Sequence, residues 1–352
     1  MFSNVTFHTE DTRHTLCFDA SKTYILMIAQ NFDLNTLHLE KETATIYTVV
    51  LPAVIWKTVI HRDAFLCCEI HENNTLLFCQ KEKDAPIKLL DESKSIIIFV
   101  DWMDEKIYRY LDKLFSLTCE DVTIMGMGCG NVGGVEQPIL SRNAKVLKDG
   151  FLMILSSSNA DIFTGHGSKY YEGYFIAHTE NSNKIVTING EKAFDFYAKM
   201  LQNHFHETLN EENIFDLGLK YPFGLGSTQR ENPLRVPVSI EDGALIVAGP
   251  MDEECTLCLM KSDDHHLLKA SLIAVEAMRE HVEDLETKDC FLIECMGRER
   301  VLKNEFQQEI NSIAYEASKA KRIYGVLCLG EIANSARQYI EYFNESCVIG
   351  VI

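Results

Sequence analysis

The segment GVLCLGEIANSARQYIEYFNESCVIGV, Gly325–Val351, sets two apolar runs around a polar middle. VLCL and CVIGV read as buried strands, each short and bounded by turn residues. Gly330 lets the chain turn sharply after the first. Ser335 and Gln338 have capping-box spacing, and Ala336, Tyr339, Ile340 and Phe343 fall on one helical face. The segment therefore reads as strand, turn, helix, strand, with Glu331 and Asn344 on its two turns.

Working outward, short apolar, β-branched runs dominate the first 160 residues. YILMIA (24–29), TIYTVVL (45–51), AFLCCEI (64–70), TLLFCQ (75–80), SIIIFV (95–100), VTIMGM (122–127) and FLMILS (151–156) all have strand character. One helix fits between them, in DEKIYRYLDKLFSL, with Ile107, Tyr110, Leu111, Leu114 and Phe115 on one face. Lys148–Asp149–Gly150 has the chemistry of a hairpin turn between KVL and FLMIL. Further on, KIVTI, Asn189–Gly190 and the following run read as strand, turn and helix. ALIVAG and TLCLMK read as strands around Gly249–Pro250. Ser262-Asp-Asp opens a helix whose apolar face includes Leu268, Leu272, Val275, Met278 and Val282. A strand, CFLIECMG, and a second helix over Val301–Ala320 follow. Short, hairpin-like connections with helices inserted irregularly predict an α+β fold: two α/β halves with mixed, largely antiparallel sheets flanked by helices.

The 352 residues suggest two domains. Basic residues number 33 against 52 acidic ones, a net charge of −19, which disfavours nucleic acid and anionic lipid as partners. The first residues, MFSNVTFHTEDTRH, lack a signal peptide's basic and apolar regions, and no window has 18 apolar residues. Most of the twelve cysteines lie in apolar runs, as Cys67, Cys68, Cys79 and Cys328 do. Reduced, buried thiols in a cytoplasmic protein follow as the expectation.

Gly128-x-Gly130-x-x-Gly133 matches a dinucleotide fingerprint in letters and follows a strand. Pro138 falls where the required helix would run, so a tight glycine turn is the better reading. Cys255-x-x-Cys258 and Cys290-x4-Cys295 have metal-like spacing. On strands, however, each pair points to opposite faces, so no metal is expected. His166 stands between two glycines and His178 follows twelve residues on; either imidazole could ligate haem iron. Arg298, after a strand and before a helix, could hold a carboxylate or phosphate; a helix-start salt bridge is the structural alternative.

A series of pieces carries a resemblance. Tyr221-Pro222-Phe223-Gly224 comes first, then Arg235-Val236-Pro237 with Asp242-Gly243-Ala244-Leu245. Cys295-Met296-Gly297-Arg298, Glu309, Gly330-Glu331-Ile332 and Asn344-Glu345-Ser346 follow. In this order they resemble the FIST family, with Ser346 where Thr is usual. Gly133–Gly134, Asp149–Gly150, His166–Gly167 and Asn189-Gly190-Glu191-Lys192-Ala193 through Tyr197 resemble its N-terminal domain more loosely, with Lys192 where Pro is usual. The resemblance implies a FIST N-like domain over 1–185 and a FIST C-like domain over 186–352. It implies a sensor rather than an enzyme, binding a small ligand between the halves and regulating a signalling partner such as a histidine kinase in trans. No output domain is expected within the chain. Some bacterial members are haem proteins that sense nitric oxide, which makes haem a candidate cofactor here. Arg235, Cys295, Arg298, Gly330, Glu331 and Asn344 become the candidate ligand-binding residues, and His166 and His178 the candidate cofactor ligands. Two alternatives stand beside this: an enzyme using a polar cleft around Glu331 and Arg298, with Glu331 as general base, and an interaction scaffold with an empty cleft.

Overall fold

A computed structural model describes residues 1–80, 90, 92–104, 106–118, 121–226, 232–334 and 339–352. Its strands form four sheets, mixed or antiparallel, with helices on their flanks, so the α+β expectation holds. The helices among the described residues are α1 (Ile107–Leu117), α2 (Ala193–Phe205), α3 (Ile214–Lys220), α4 (Asp264–His281), α5 (Met296–Leu302) and α6 (Phe306–Glu316).

Two sheets are built mainly from the N-terminal half. One centres on the parallel pair Thr23–Ala29 and Thr45–Leu51. The other centres on the parallel pair Ser95–Asp101 and Thr123–Cys129. A third sheet is built around the parallel strands Asp289–Cys295 and Arg322–Cys328. It is completed by Cys347–Val351 on one side and by Ala53–Trp56 on the other. The strand Glu331–Ala333 pairs in turn with Thr123–Cys129. Strands are thus exchanged in both directions along the chain. The three sheets bury a common apolar core that includes Ile25, Val49, Ile97, Met125, Phe291 and Val326.

The fourth sheet is antiparallel and closes on itself. Its order runs Lys169–Glu180, Glu254–Lys261, Phe223–Leu225, Leu234–Glu241, Ala244–Ala248, Lys184–Ile188, and the last pairs back to the first. Closure removes the open edges of this small barrel. It encloses its own core around Tyr197, Phe223, Leu245 and Leu257. Residue 185, the expected end of the first domain, lies within the barrel strand Lys184–Ile188.

Several local expectations need correction. Lys148–Asp149–Gly150 does not join a hairpin, because the strands flanking it, Lys145–Val146 and Phe151–Ser156, lie in different sheets. The hairpin there turns instead through Asn143 and Ala144, both left-handed. The helix expected over Val301–Ala320 is broken: Lys303 adopts φ +49°, and a 3-10 turn separates α5 from α6. In the Gly325–Val351 segment, Ser335, Ala336 and Gln338 lie outside the described residues. Glu341–Phe343 is a strand antiparallel to Glu331–Ala333, not the end of a helix. Its alternation of Ile340 and Tyr342 toward one apolar cluster satisfies a strand as well as a helix over so few residues.

Candidate functional site

The parallel strands Asp289–Cys295 and Arg322–Cys328 end side by side, with Cys295 opposite Cys328. α5 begins directly after Cys295, and the Gly330 turn directly follows Leu329. At this level the protein forms a half-open cavity of about 470 Å³. Cys295, Met296, Gly297, Cys328, Leu329 and Gly330 form its floor. Val236, Val238 and Ala248 of the barrel form one wall, with Phe215 and Leu219 of α3 beside them. Trp102 and Asn131–Gly133 close it from the N-terminal half, and Asn344 and Glu345 complete it. The lining is mostly apolar, with a few polar groups, as small-molecule sites commonly are.

The glycine-rich run finds its use here. No helix opens after Gly133, so the dinucleotide expectation falls as the sequence indicated. Instead, Trp102 lies against Gly130, where a Cβ would sit 2.2 Å from the indole. Gly128 exchanges backbone hydrogen bonds with the Gly330 turn: its amide donates to Gly330 O at 2.8 Å and its carbonyl accepts from Leu329 N at 2.9 Å. Gly330 has φ +110°, and a Cβ there would meet the Tyr342 ring hydroxyl at 2.2 Å. That hydroxyl donates to the Leu329 carbonyl.

Of the candidate ligand-binding residues, Cys295, Gly330 and Asn344 reach the cavity. Asn344 Nδ2 donates to Leu234 O at 2.9 Å and Ala248 O at 3.1 Å, which ties this turn to the barrel. Glu331 and Arg298 lie behind the wall, both fully buried. Glu331 and the Asn344 turn are neighbours: Glu331 Oε2 accepts from Ser346 N at 3.0 Å, and Oε1 from Cys328 Sγ at 3.1 Å. Arg298 spends its donors inside the protein. Its Nε lies 3.1 Å from Glu309 Oε1, and Nη2 also reaches that carboxylate. The remaining N–H groups donate to His166 O, Glu345 O and Leu267 O at 2.8, 2.9 and 2.6 Å. Arg235 is likewise buried. It donates to Pro250 O, Leu234 O and Tyr342 O at 2.7, 2.8 and 3.0 Å, and faces a different cavity of about 500 Å³.

Electrostatically the region is acidic. Arg298 faces four carboxylates, those of Glu294, Glu309, Glu331 and Glu345. Burial opposes the Arg298 charge, but Glu309 outweighs it and the net shift is upward. Burial pushes Glu331 and Glu345 each up to about 8, and carries Glu294 well above its ordinary value, with Glu309 adding to the shift. Burial and Glu331 also hold the Cys295 and Cys328 thiols far above 9, so both are neutral.

Glu345 and Glu294 went unselected in the sequence. Glu294 was legible as a charge inside an apolar strand. Glu345 looked like one more turn residue, yet it has φ +55° and no exposed surface. Its Oε2 accepts from Ser262 Oγ at 2.7 Å, and Oε1 has no hydrogen-bond partner among the described residues.

The candidate haem ligands do not fit haem. His166 is buried at 3% exposure, does not line the cavity, and is pushed down to about 3 by burial, with Arg298 adding to the effect. Its Nδ1 accepts from Ser168 N at 2.9 Å. His178 sits on a barrel strand between Thr187 and Glu254, away from the cavity. Cys255 and Cys258 share one barrel strand, the first half-buried and the second buried.

Residues 193–334 match the family model described as FIST C domain. No curated protein sequence matches the chain. The matched segment begins at α2 and ends just after the Gly330 turn. It supplies the cavity floor and the barrel and α3 walls, while Trp102, Asn131–Gly133, Asn344 and Glu345 lie outside it. FIST domains are a sensory domain family, and the match supports a sensory role. No helix among the described residues is long and apolar enough to cross a membrane.

Proposed function

We propose that this protein is a ligand-binding sensor whose site is the cavity between the strand ends and the barrel. The observation that carries this is the convergence on one half-open cavity of Cys295, Gly330 and Asn344 with a FIST C segment. A ligand there touches four separate parts of the chain: the Asn131–Gly133 loop, the barrel, α3 and the Asn344 turn. Occupancy would therefore alter how firmly these parts hold together, which is what a sensor must transmit. The output is a signalling partner in trans, a histidine kinase being the type the resemblance suggests. Haem has no part in this reading, because neither histidine meets the cavity.

The enzymatic alternative receives no specific support from the geometry. Glu331 lies behind the wall with both oxygens engaged, and Arg298 has its donors occupied. A base needs a reachable proton.

The test is a melting-temperature screen against a metabolite panel, run on wild type and on Ala248→Trp, which fills the cavity. A ligand that binds only the folded state raises the melting temperature by mass action. The reading expects at least one compound to stabilise wild type and not the variant. A panel without hits, or hits unaffected by the tryptophan, would sink it.

A further inference from the structure

The cavity's chemistry limits what can enter. Among the described residues its lining contains no lysine, arginine or histidine. The nearest buried guanidinium, Arg298, is engaged with Glu309 and three carbonyls and stays behind the wall. A carboxylate or phosphate in the cavity would lose its water and gain no cation. It would also approach Glu345 in the wall and Glu331 behind it. The apolar part of the lining is large: Trp102, Phe215, Leu219, Val236 and Val238 offer a slot suited to a ring or an alkyl chain. Apart from its thiols, Glu345 is the sole ionisable side chain of the lining among the described residues.

Glu345 is built into its place. Its backbone carbonyl accepts from Arg298, and its Oε2 accepts from Ser262 Oγ. Ser262 is in turn held by Ser168, whose amide donates to His166. Oε1 is left without a partner among the described residues, although the side chain has no solvent exposure. A buried carboxyl oxygen left unbonded is costly, and a ligand that brings a donor recovers that cost. The left-handed backbone at a non-glycine residue is a further sign of a constrained position.

We infer that the sensor's ligand is a mainly apolar molecule bearing one cationic amine, which Glu345 recognises, and that the site discriminates against carboxylates. The inference rests on the binding function proposed above and names its ligand class. It differs from an amino-acid ligand, whose carboxylate finds no counter-charge among the described lining residues.

A pH signature follows. The groups facing Glu345 are Arg298 from α5, Ser262 before α4, Cys295 at its strand end, Glu331 from its strand and Tyr197 from α2. Burial holds Glu345 up at about 8 despite Arg298 and Ser262. An alkylamine, like a lysine side chain, stays cationic to about pH 10. Pairing with the amine therefore requires Glu345 to lose its proton, so amine affinity increases with pH as the carboxyl approaches its own titration.

Three matched probes test this on the full chain: 4-phenylbutylamine, 4-phenylbutanol and 4-phenylbutyrate. Calorimetry gives affinities, and a Trp56→Phe background, in which Trp102 is the remaining tryptophan, lets emission report occupancy of the cavity. The amine is expected to bind about tenfold tighter than the alcohol near pH 8.5, and the carboxylate weakest. Amine affinity should rise roughly tenfold between about pH 6.5 and 8.5, while the alcohol stays flat. Glu345→Gln should remove the amine's advantage and its pH slope but keep the alcohol. Should that variant not fold, the wild-type pH profile carries the test alone. Carboxylate binding as tight as amine binding, a flat amine profile, or no amine binding overturns the inference. Binding of the alcohol that Ala248→Trp abolishes would meanwhile leave the sensor function standing.

Discussion

Two buried arginines invite comparison. Arg298 and Arg235 are both almost without exposed surface, and both donate to backbone carbonyls. Arg298 also has the Glu309 carboxylate, and its pKa rises. Among the described residues Arg235 has carbonyls alone within hydrogen-bonding distance, and burial lowers it to about 10. One guanidinium is locked by charge, the other by dipoles. The first ties α5 and α6 to the Glu345 turn; the second ties the barrel to the strand Glu341–Phe343. Together they brace the Asn344–Ser346 turn from both sides of the cavity. An arginine beside a proposed ligand site is thus not necessarily a ligand anchor.

The comparison can be broken most directly at Arg298. Arg298→Met leaves Glu309 buried and unpaired, and a loss of about 3–5 kcal/mol is expected in urea unfolding. Adding Glu309→Leu should restore part of that loss. If the single and double variants are equally unstable, Glu309 is not what makes Arg298 indispensable. Gly330→Ala comes next. It combines a left-handed φ with overlap on Tyr342, whose carbonyl Arg235 holds, and about 2–3 kcal/mol should be lost. Arg235→Met removes a buried charge along with three carbonyl contacts, so about 1–2 kcal/mol is expected. A cost equal to that of Arg298→Met would erase the distinction between charge-locked and dipole-locked arginines.

A last prediction concerns pH. Glu331 and Glu345 titrate near 4.3 when unfolded but at about 8 when folded, so the folded state binds more protons between those values. Stability should therefore fall as pH rises from about 5 toward 8 and level off above. The Asp263 carboxylate, lowered by His266 against the opposing effect of burial, has finished titrating below this window and does not contribute. Glu331→Gln or Glu345→Gln should each flatten the slope of melting temperature against pH. An unchanged slope would place the proton binding elsewhere.

Much of the architecture was legible in the chain. Runs such as TIYTVVL, AFLCCEI and FLMILS coincide with strands because their β-branched and aromatic residues suit a pleated, buried surface. The helix at Asp264 was visible from its polar opening, and Asp263 does cap it, accepting from His266 N at 3.0 Å. Errors fell where a short local pattern has two solutions. The run from Tyr339 to Phe343 suits helix or strand, and pairing with Glu331–Ala333 chose strand. Lys148–Asp149–Gly150 does turn, but the strand beyond it found its partners in another sheet.

The same division holds for the site. Local signals marked Gly330–Glu331 and Asn344–Glu345–Ser346 as turns, and the resemblance to the FIST family made Gly330, Glu331 and Asn344 candidates for the site. Only the tertiary structure decided that Asn344 faces a cavity while Glu331 stands behind its wall, that Arg298 is consumed by Glu309, and that Trp102 and the Asn131–Gly133 loop close the site. Except for Arg298 with Glu309, eleven residues on, these are contacts between segments about a hundred residues or more apart. Their partners are fixed by which strands share a sheet, and no local pattern encodes that choice.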